Sequence, residues 1–200
     1  DLIIAVNKKS TMNMELQEVV SEIKKKENKK VVLTIYRDKK SKDYTVKKSS
    51  VQLDTVSYKM KEKKIGYIAV SQFLENTGDQ FDKAVTALEK KGMKSLIIDL
   101  RDNGGGLLNT CTQMVSRVID KDKLIVYTKD KEGNKEEFKS DSGKTLEIPI
   151  IILVNGNTAS ASEIMTGCLK DYGKATVVGT TTYGKGIVQN IMPLTDGSAI

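Results

Sequence analysis

The sequence predicts an α/β fold in which mainly parallel strands alternate with helices. Short apolar runs such as SLIIDL and IPIIILVN have the length of buried strands, and the unbroken run SLIIDL is typical of a strand covered on both faces. Runs with helical spacing lie between them, for example TGDQFDKAVTALEKKG, where Gly92 supplies the stop. This alternation indicates a layered fold.

The pattern divides the chain into three segments. Residues 1–45 contain the strand LIIAV, the helix MELQEVVSEIK with Thr11 and Asn13 as capping candidates, and the strand VVLTIYR. Residues 46–64 alternate like extended structure and are predicted to be a connector. Residues 65–200 hold the strands IGYIAVSQF, SLIIDL, LIVYT, IPIIILVN and ATVVGT, with helices between them. We therefore expect a small N-terminal domain followed by a larger α/β core.

Charge and composition narrow the classes of function. The net charge is +7, and it is uneven, because residues 1–64 carry +8 and residues 65–200 carry −1. Lysine dominates and aromatic residues make up 5% of the chain, so nucleic-acid binding is not predicted. The runs KKKENKK and RDKKSKD are interpreted as solvated turns, with a weak attraction to anionic membrane or wall surfaces left open. Cys111 and Cys168 lie on apolar helix faces and are expected to be core thiols.

The chain contains no histidine. A Ser-His-Asp triad and a Cys-His pair are therefore excluded. An ordinary zinc site is excluded as well, because the two cysteines do not form a CxxC pair.

Ser160, in the stretch NTASASE, has two interpretations. It follows a predicted buried strand and begins a helix, so its hydroxyl would lie at the carboxyl end of the sheet, where α/β folds place their sites. The spacing from Ser160 to Glu163 is also that of a capping box, which needs no further function. On this stretch alone, capping is the stronger interpretation.

Lys185, in TYGKGIVQ, is the candidate base for a serine nucleophile. Its flanking glycines allow close backbone packing, and an apolar setting from Ile187 and Val188 would disfavour the ammonium form. Gln189 lies on the same face as Lys185 if this segment is a strand, and it could orient the amine. The alternative is an exposed lysine in a turn.

The loop RDNGGG follows the strand SLIIDL. Its three glycines free backbone N–H groups for an oxyanion hole or a phosphate cradle, although the GK[ST] ending of a P-loop is absent. Asp99 and Asp102 are a weak candidate pair for metal or acid–base chemistry. We favour Asp102 or Asn103 as a cap of the turn.

Taken together and in this order, IGYIAVSQF, LIIDLRDNGGGLL, VNGNTASASEI and VVGTTTYGKGIVQ resemble the C-terminal processing peptidases, or tail-specific proteases, with the likeness running on into PLTDGSA. The resemblance implies a crotonase-like layered core and a serine endopeptidase that cleaves proteins near their C-termini. It implies Ser160 as nucleophile, with Ser162 as the rival serine, Lys185 as general base and Gln189 as its support. It further implies an oxyanion hole formed by the backbone N–H groups of Gly105 and Ala161.

The resemblance also implies expectations about cofactors, partners, cellular location and the N-terminal domain. No metal or organic cofactor is needed, and the partner is a protein or peptide substrate with a free C-terminus. Members of the family act outside the cytoplasm, often anchored to the membrane, and an oligomer is compatible with the sequence. DLIIAVN, MELQEVVSEIK and VVLTIYR are similar to the later half of a PDZ domain, which makes residues 1–45 a partial PDZ domain.

The chain begins on DLIIAV without methionine and stops on LTDGSAI, so we expect an excised fragment. The carboxylate-clasping segment of the PDZ domain is then expected upstream of Asp1, and closing strands of the core after Ile200. Activity of the fragment itself is left open. Two other functions also stay open: a non-catalytic peptide-binding module on the same scaffold, and a crotonase-like acyl-transfer enzyme.

Overall fold

A computed structural model of the chain describes residues 1–25, 29–49, 53–141 and 145–189, together with the single positions 192, 194, 195 and 198. The chain divides into two compact units, Asp1–Gln52 and Leu53–Ile200. The middle of KKKENKK and most of PLTDGSA lie outside the described residues. Within the described part of the chain, no helix is both long enough and apolar enough to cross a membrane.

The first unit is an antiparallel sheet with one helix. Its elements are β1 (Leu2–Val6), β2 (Lys9–Ser10), α1 (Leu16–Lys24), β3 (Lys30–Arg37) and β4 (Lys40–Lys47), and the strand order is β2-β1-β3-β4. The predicted strands and helix are thus present. The predicted run of turn residues in RDKKSKD is too long, because only Asp38 and Lys39 form the turn, with φ of 48° and 60°, before β4 begins.

The predicted caps of α1 are wrong. The helix is capped by Glu15, whose N–H donates to Glu18 Oε2 at 2.9 Å. Thr11 instead donates its hydroxyl to the carbonyl of Ile3 at 2.7 Å, and Asn13 adopts a left-handed φ of 67°. Both residues are therefore used in the turn before the helix, where short polar side chains compete well for backbone groups.

The second unit is an α/β layer structure. Its elements are β5 (Val56–Lys61), β6 (Ile65–Val70), α2 (Thr77–Lys90), β7 (Ser95–Asp99), α3 (Leu108–Ser116), β8 (Leu124–Lys129), β9 (Lys135–Lys139), β10 (Ile150–Val154), α4 (Ala161–Asp171) and β11 (Ala175–Gly179). The main sheet has the order β11-β10-β7-β6-β5, and β8 and β9 form a separate hairpin. Strands β6, β7, β10 and β11 are parallel, as predicted, whereas β5 is antiparallel to β6.

Strand β5 lies inside the segment predicted to be a connector. It pairs with β6 from Val56 opposite Val70 to Lys61 opposite Ile65, and it forms one edge of the sheet. An edge strand with a polar face alternates in the same way as an extended linker, so the pattern alone does not separate the two.

The core lies on one face of the main sheet. Ile68, Ile98 and Ile152 occupy one row across three strands and are fully buried, and helices α2, α3 and α4 contact one another in succession. The opposite face is only partly covered, since Ile151 is 38% exposed. The expectation that SLIIDL is covered on both faces is therefore wrong: β7 alternates between buried and half-buried side chains until Asp99.

The topology brings four loops to one edge of this sheet. The parallel strands β6, β7, β10 and β11 end at Val70, Asp99, Val154 and Gly179. The segments that follow them contain Ser71, the RDNGGG loop, Ser160 and Lys185. Carboxyl ends of parallel strands meet at a common edge, so residues that are distant in sequence are placed close together.

We expect Leu88→Ala to lower the free energy of unfolding of the second unit by about 2–5 kcal/mol, because the side chain of Leu88 is fully buried between helix and sheet. Leu53→Ala is the matched control, since Leu53 is 62% exposed and its loss should cost less than about 0.5 kcal/mol. Urea denaturation of both variants measures the difference. Equal losses would contradict this assignment of the core.

Candidate active site

A cavity of about 1010 Å³ opens at the carboxyl edge of the main sheet. Its walls come from the loops after β6, β7 and β11, from β9 and from the start of α4. All five residues predicted for the site line it: Ser160, Lys185, Gln189, Gly105 and Ala161. The structure therefore brings the whole predicted set together around one space.

Ser160 lies in the turn between β10 and α4 in a strained conformation. Its φ is 56° and its ψ is −118°, values that a residue with a side chain rarely adopts. Strain at a sharp turn between a strand and a helix is also found in the nucleophile elbow of α/β-hydrolases, where it presents a hydroxyl at the top of the sheet. Nothing in the sequence pattern indicated this strain.

The predicted capping box is present at the start of α4. The Ser160 N–H donates to Glu163 Oε2 at 2.8 Å. The Ser160 side chain lies toward the N–H of Glu163, as the motif requires, but it does not reach the geometry of a cap hydrogen bond. Ser160 takes part in this motif and also lines the cavity.

Ser162, the rival serine, has a different environment. Its side chain is fully buried, and its hydroxyl donates to the carbonyl of Asn103 at 3.0 Å. Ser160 is half-buried and lines the cavity, whereas Ser162 does not. Of the two serines, only Ser160 has a hydroxyl that a molecule in the cavity can reach.

Lys185 and Gln189 are joined by a hydrogen bond. Lys185 Nζ donates to Gln189 Oε1 at 3.2 Å, although the segment that carries them is irregular and not a strand. The apolar setting expected from Ile187 and Val188 is not formed, since these side chains are 66% and 55% exposed. Lys185 and Ser160 line the same cavity, but their side chains form no hydrogen bond with each other in this structure.

Glu163 makes contacts that the capping box does not explain. Besides the Ser160 N–H, its carboxylate accepts hydrogen bonds from Thr182 Oγ1 at 2.7 Å, from the Gly184 N–H at 2.7 Å and from the Lys185 N–H at 3.0 Å. Burial raises the pKa of Glu163, but these hydrogen bonds outweigh it and the pKa lies below its usual value. Sequence reasoning missed this role, because nothing local marks a glutamate that binds a segment about twenty residues away.

Asn103 organises the glycine loop. It is fully buried; its side chain donates to the carbonyl of Val70 at 2.8 Å and accepts from the Gly105 N–H at 2.9 Å, which confirms it as the cap of this turn. Gly105 has a φ of 97°, and a Cβ added to it would lie 2.8 Å from Ser160 Cβ. The loop is thus packed directly against the turn that carries Ser160.

One of the two predicted oxyanion-hole donors, the Gly105 N–H, already has a hydrogen-bond partner. The N–H of Gly105 is occupied by Asn103 Oδ1, so this donor does not point freely into the cavity. The Ala161 N–H, in contrast, donates to none of the residues that the structure describes. As the first residue of α4, Ala161 leaves this donor at the positive end of the helix dipole, beside Ser160.

Asp99 and Asp102 are each committed to other groups. Asp99 accepts from Arg101 Nε at 2.9 Å and from the Tyr67 hydroxyl at 2.6 Å, and Asp102 accepts from the side-chain amides of Asn155 at 2.9 Å and Asn157 at 2.8 Å. Burial raises the pKa of Asp99, but the hydrogen bonds from Arg101 and Tyr67 bring it below its usual value. The interpretation as a metal or acid–base pair finds no support in these contacts.

The two cysteines are core thiols, as predicted. Both are buried, and Cys111 Sγ donates to the carbonyl of Ala161 at 3.2 Å. Burial raises the pKa of both thiols, that of Cys168 to about 11. Neither thiol is therefore available as a nucleophile near neutral pH.

The three glycines of the loop should differ in their tolerance of a side chain. A Cβ on Gly106 would lie 2.2 Å from the carbonyl oxygen of Phe73, and one on Gly105 would lie 2.8 Å from the carbonyl oxygen of Ala159. Each alanine variant should therefore lose more than about 2 kcal/mol of stability. A Cβ on Gly104 meets nothing within 4 Å, which makes Gly104→Ala the matched control. Thermal unfolding of the three variants measures this, and a Gly104→Ala loss as large as the others would refute the loop geometry.

Asp99→Asn should lower the free energy of unfolding by about 1–3 kcal/mol at pH 7, because charge-assisted hydrogen bonds to Arg101 are lost. The pKa of Asp99 is lower in the folded protein than in the unfolded chain, where it is about 3.9. The carboxylate therefore stabilises the wild-type protein fully above about pH 3.9, and this stabilisation is lost as the pH falls through the lower folded-state pKa. The gap between variant and wild type should shrink in acid. Denaturant titrations across this range measure it, and a constant gap would count against the pairing.

Residues 64–200 match the model of peptidase family S41. The chain is 41% identical over 202 residues to the probable CtpA-like serine protease of Staphylococcus aureus (strain N315), an alignment that covers 100% of this chain and 40% of that protein. It is 38% identical over 201 residues to the carboxy-terminal processing protease CtpA of Bacillus subtilis (strain 168), covering 100% of this chain and 43% of that protein. The chain thus spans less than half the length of these relatives.

A solved structure supports the same relationship. The photosystem II D1 C-terminal processing protease is similar with a TM-score of 0.66 and 27% sequence identity, over 98% of this chain and 55% of that chain. The matched family region, residues 64–200, contains every residue that lines the cavity. The chain therefore belongs to peptidase family S41.

Proposed function

We propose that the protein is a serine endopeptidase that cleaves proteins near their C-termini, with Ser160 as nucleophile and Lys185 as general base. The observation that carries the proposal is the placement of Ser160, Lys185 and Gln189 around one cavity, with Lys185 Nζ bonded to Gln189 Oε1. A serine hydroxyl is scarcely ionised at neutral pH and needs a base, and this chain has no imidazole to supply one.

In the first half of the proposed reaction, Ser160 Oγ attacks the carbonyl carbon of the scissile peptide bond while its proton passes to the neutral amine of Lys185. The resulting oxyanion accepts hydrogen bonds from backbone N–H groups. When the tetrahedral intermediate collapses, the C–N bond breaks and the leaving amine takes the proton from the Lys185 ammonium group. The acyl group remains on Ser160 as an ester.

In the second half, a water molecule attacks the ester carbonyl and gives its proton to Lys185. Collapse breaks the bond to Ser160 Oγ, which regains the proton, and the carboxylic acid leaves. Gln189 Oε1 accepts a hydrogen bond from Lys185 Nζ. This bond fixes the orientation of the neutral amine and therefore the direction of its lone pair. The hydrogen bond between Oγ and Nζ is expected to form with substrate, since catalytic hydrogen bonds are often long before substrate binds.

Ala161 supplies the oxyanion donor that fits best, because its N–H is uncommitted among the described residues and lies next to the nucleophile. The second donor comes from the glycine loop. Gly105 can serve only if its hydrogen bond to Asn103 is exchanged for the oxyanion. This exchange would make the donor available at the stage when charge develops.

The substrate class rests on the family. The relative from Bacillus subtilis is named a carboxy-terminal processing protease, and the similar solved structure carries a C-terminal processing protease name. We extend this to the present protein, with a protein or peptide that has a free C-terminus as its substrate. Action outside the cytoplasm is part of the same proposal.

Ser160→Ala should reduce kcat/KM for a peptide substrate by at least about a thousandfold in the protein at its full natural length. The cost in stability should stay below about 1 kcal/mol, because the hydroxyl makes no cap hydrogen bond. Ser162→Ala is the matched control: it removes a buried hydrogen bond and about 1 kcal/mol of stability but should leave cleavage intact. Full activity in Ser160→Ala would reject the nucleophile.

The role of Lys185 as a base is separable from its charge. Lys185→Arg keeps the positive charge but cannot give a neutral amine, because guanidinium is not deprotonated in proteins. We therefore expect this variant to be as inactive as Lys185→Ala. Retained turnover in Lys185→Arg would show that the residue acts as a cation. A peptide with an amidated C-terminus, compared with its free-acid form, tests the substrate class in the same assay.

A further inference from the structure

The carboxylate of Glu163 is shared between the two halves of the candidate site. Oε2 accepts from the N–H groups of Ser160 at 2.8 Å and Lys185 at 3.0 Å. Oε1 accepts from Thr182 Oγ1 and from the Gly184 N–H, each at 2.7 Å. One side chain thus binds both the residue that carries the nucleophile and the segment that carries the base.

Capping of α4 accounts for only one of these contacts. The capping box of α1 provides a comparison within the same chain, where Glu18 accepts a hydrogen bond from the N–H of its cap residue, Glu15, at 2.9 Å. Glu163 makes the equivalent bond to Ser160 and adds three from residues 182–185. These three contacts need a different explanation.

The segment that carries Lys185 has little else to hold it. It contains no helix or strand, and the side chains of Tyr183, Ile187 and Val188 are all more than half exposed. The backbone hydrogen bond from the Tyr183 N–H to the carbonyl of Thr158, at 3.0 Å, is an additional anchor close to Lys185. Apolar burial therefore contributes little here, and the position of Lys185 depends on polar contacts in which Glu163 has the largest share.

We propose that Glu163 is a positioning residue that fixes the backbone of Lys185 relative to Ser160 and so sets the distance across which the proton passes. The inference rests on the proposed function for its catalytic meaning. Proton transfer requires heavy atoms within about 2.6–3.2 Å, and a shift of about 1 Å in a reacting group can cost about a hundredfold in rate. A carboxylate that spans both residues controls that distance directly.

The chemistry requires a carboxylate and not only a polar side chain. Each carboxylate oxygen accepts two hydrogen bonds in this arrangement, and three of the four donors are backbone N–H groups that cannot reverse. Glu163→Gln replaces one acceptor oxygen with an NH₂ donor, which faces at least one backbone N–H whichever way the amide is turned. The variant therefore breaks the shared arrangement while keeping the size of the side chain.

The experiment measures peptide cleavage and backbone protection in the full-length protein. Glu163→Gln should lower kcat about a hundredfold, with KM changed by less than about twofold, because the nucleophile and base are misplaced while the cavity walls remain. Thr182→Val removes one donor and should lower kcat by a smaller factor, and Thr182→Ser, which keeps the hydroxyl, should match wild type. Glu18→Gln is the matched control, since it alters a capping box that has no link to residues 182–185, and its kcat should be unchanged.

Amide hydrogen exchange gives a readout that does not depend on activity. The Gly184 and Lys185 amides should be protected in wild type and exchange at least tenfold faster in Glu163→Gln, with the helix amides of α2 unaffected. Unprotected amides in wild type, or kcat within twofold of wild type in a folded Glu163→Gln, would overturn the proposal. If Ser160→Ala stays active, the proposed function fails, whereas faster exchange in Glu163→Gln would still establish the link between the two segments.

Discussion

The hydrogen bonds that join the loop after β7 to the turn after β10 are the interaction on which the site depends. The carbonyl of Asn103 accepts from the Ala159 N–H at 3.0 Å. Thr158 Oγ1 donates to the carbonyl of Leu100 at 2.8 Å, in a fully buried position. Buried backbone groups in irregular segments need partners that a sheet would otherwise supply, and here each loop provides them for the other.

These hydrogen bonds between the two loops explain how Ser160 keeps a strained backbone. A residue with a side chain in such a conformation costs about 1–3 kcal/mol and persists only where its surroundings fix it. The Ser160 N–H is bound by Glu163, its carbonyl accepts from the N–H groups of Glu163 and Ile164, and Gly105 packs against its Cβ. The strained backbone of Ser160 is thus held by neighbours on both sides.

Much of this arrangement could be predicted from the sequence. The predictable parts are those that depend on local patterns. Strands, helices, their parallel pairing and the grouping of Ser160, Lys185 and Gln189 follow from periodicity, from glycine-rich loops and from resemblance to a family. The β5 edge strand could not be told from a linker, because both alternate. The prediction that SLIIDL is buried on both faces was also wrong, because an apolar run indicates hydrophobicity but not which face is covered.

The remaining errors concern hydrogen bonds between segments distant in sequence. The occupation of the Gly105 N–H by Asn103, and the contacts of Glu163 with residues 182–185, arise only when loops meet in three dimensions. A capping box gives Glu163 a sufficient local reason to be present, so the sequence offers no signal of a second task. The caps of α1 show the same difficulty, because Thr11 and Asn13 fit a helix start equally well but are used in the preceding turn.

The cavity is assembled from segments spread between Ser71 and Gln189. No short stretch of the chain contains both the serine and the amine, and the turn that exposes the serine exists only when the neighbouring loops are in place. Under the proposed mechanism, an unfolded or partly synthesised chain carries an ordinary, unreactive hydroxyl. Under that mechanism, hydrolytic capacity would arise only together with correct folding.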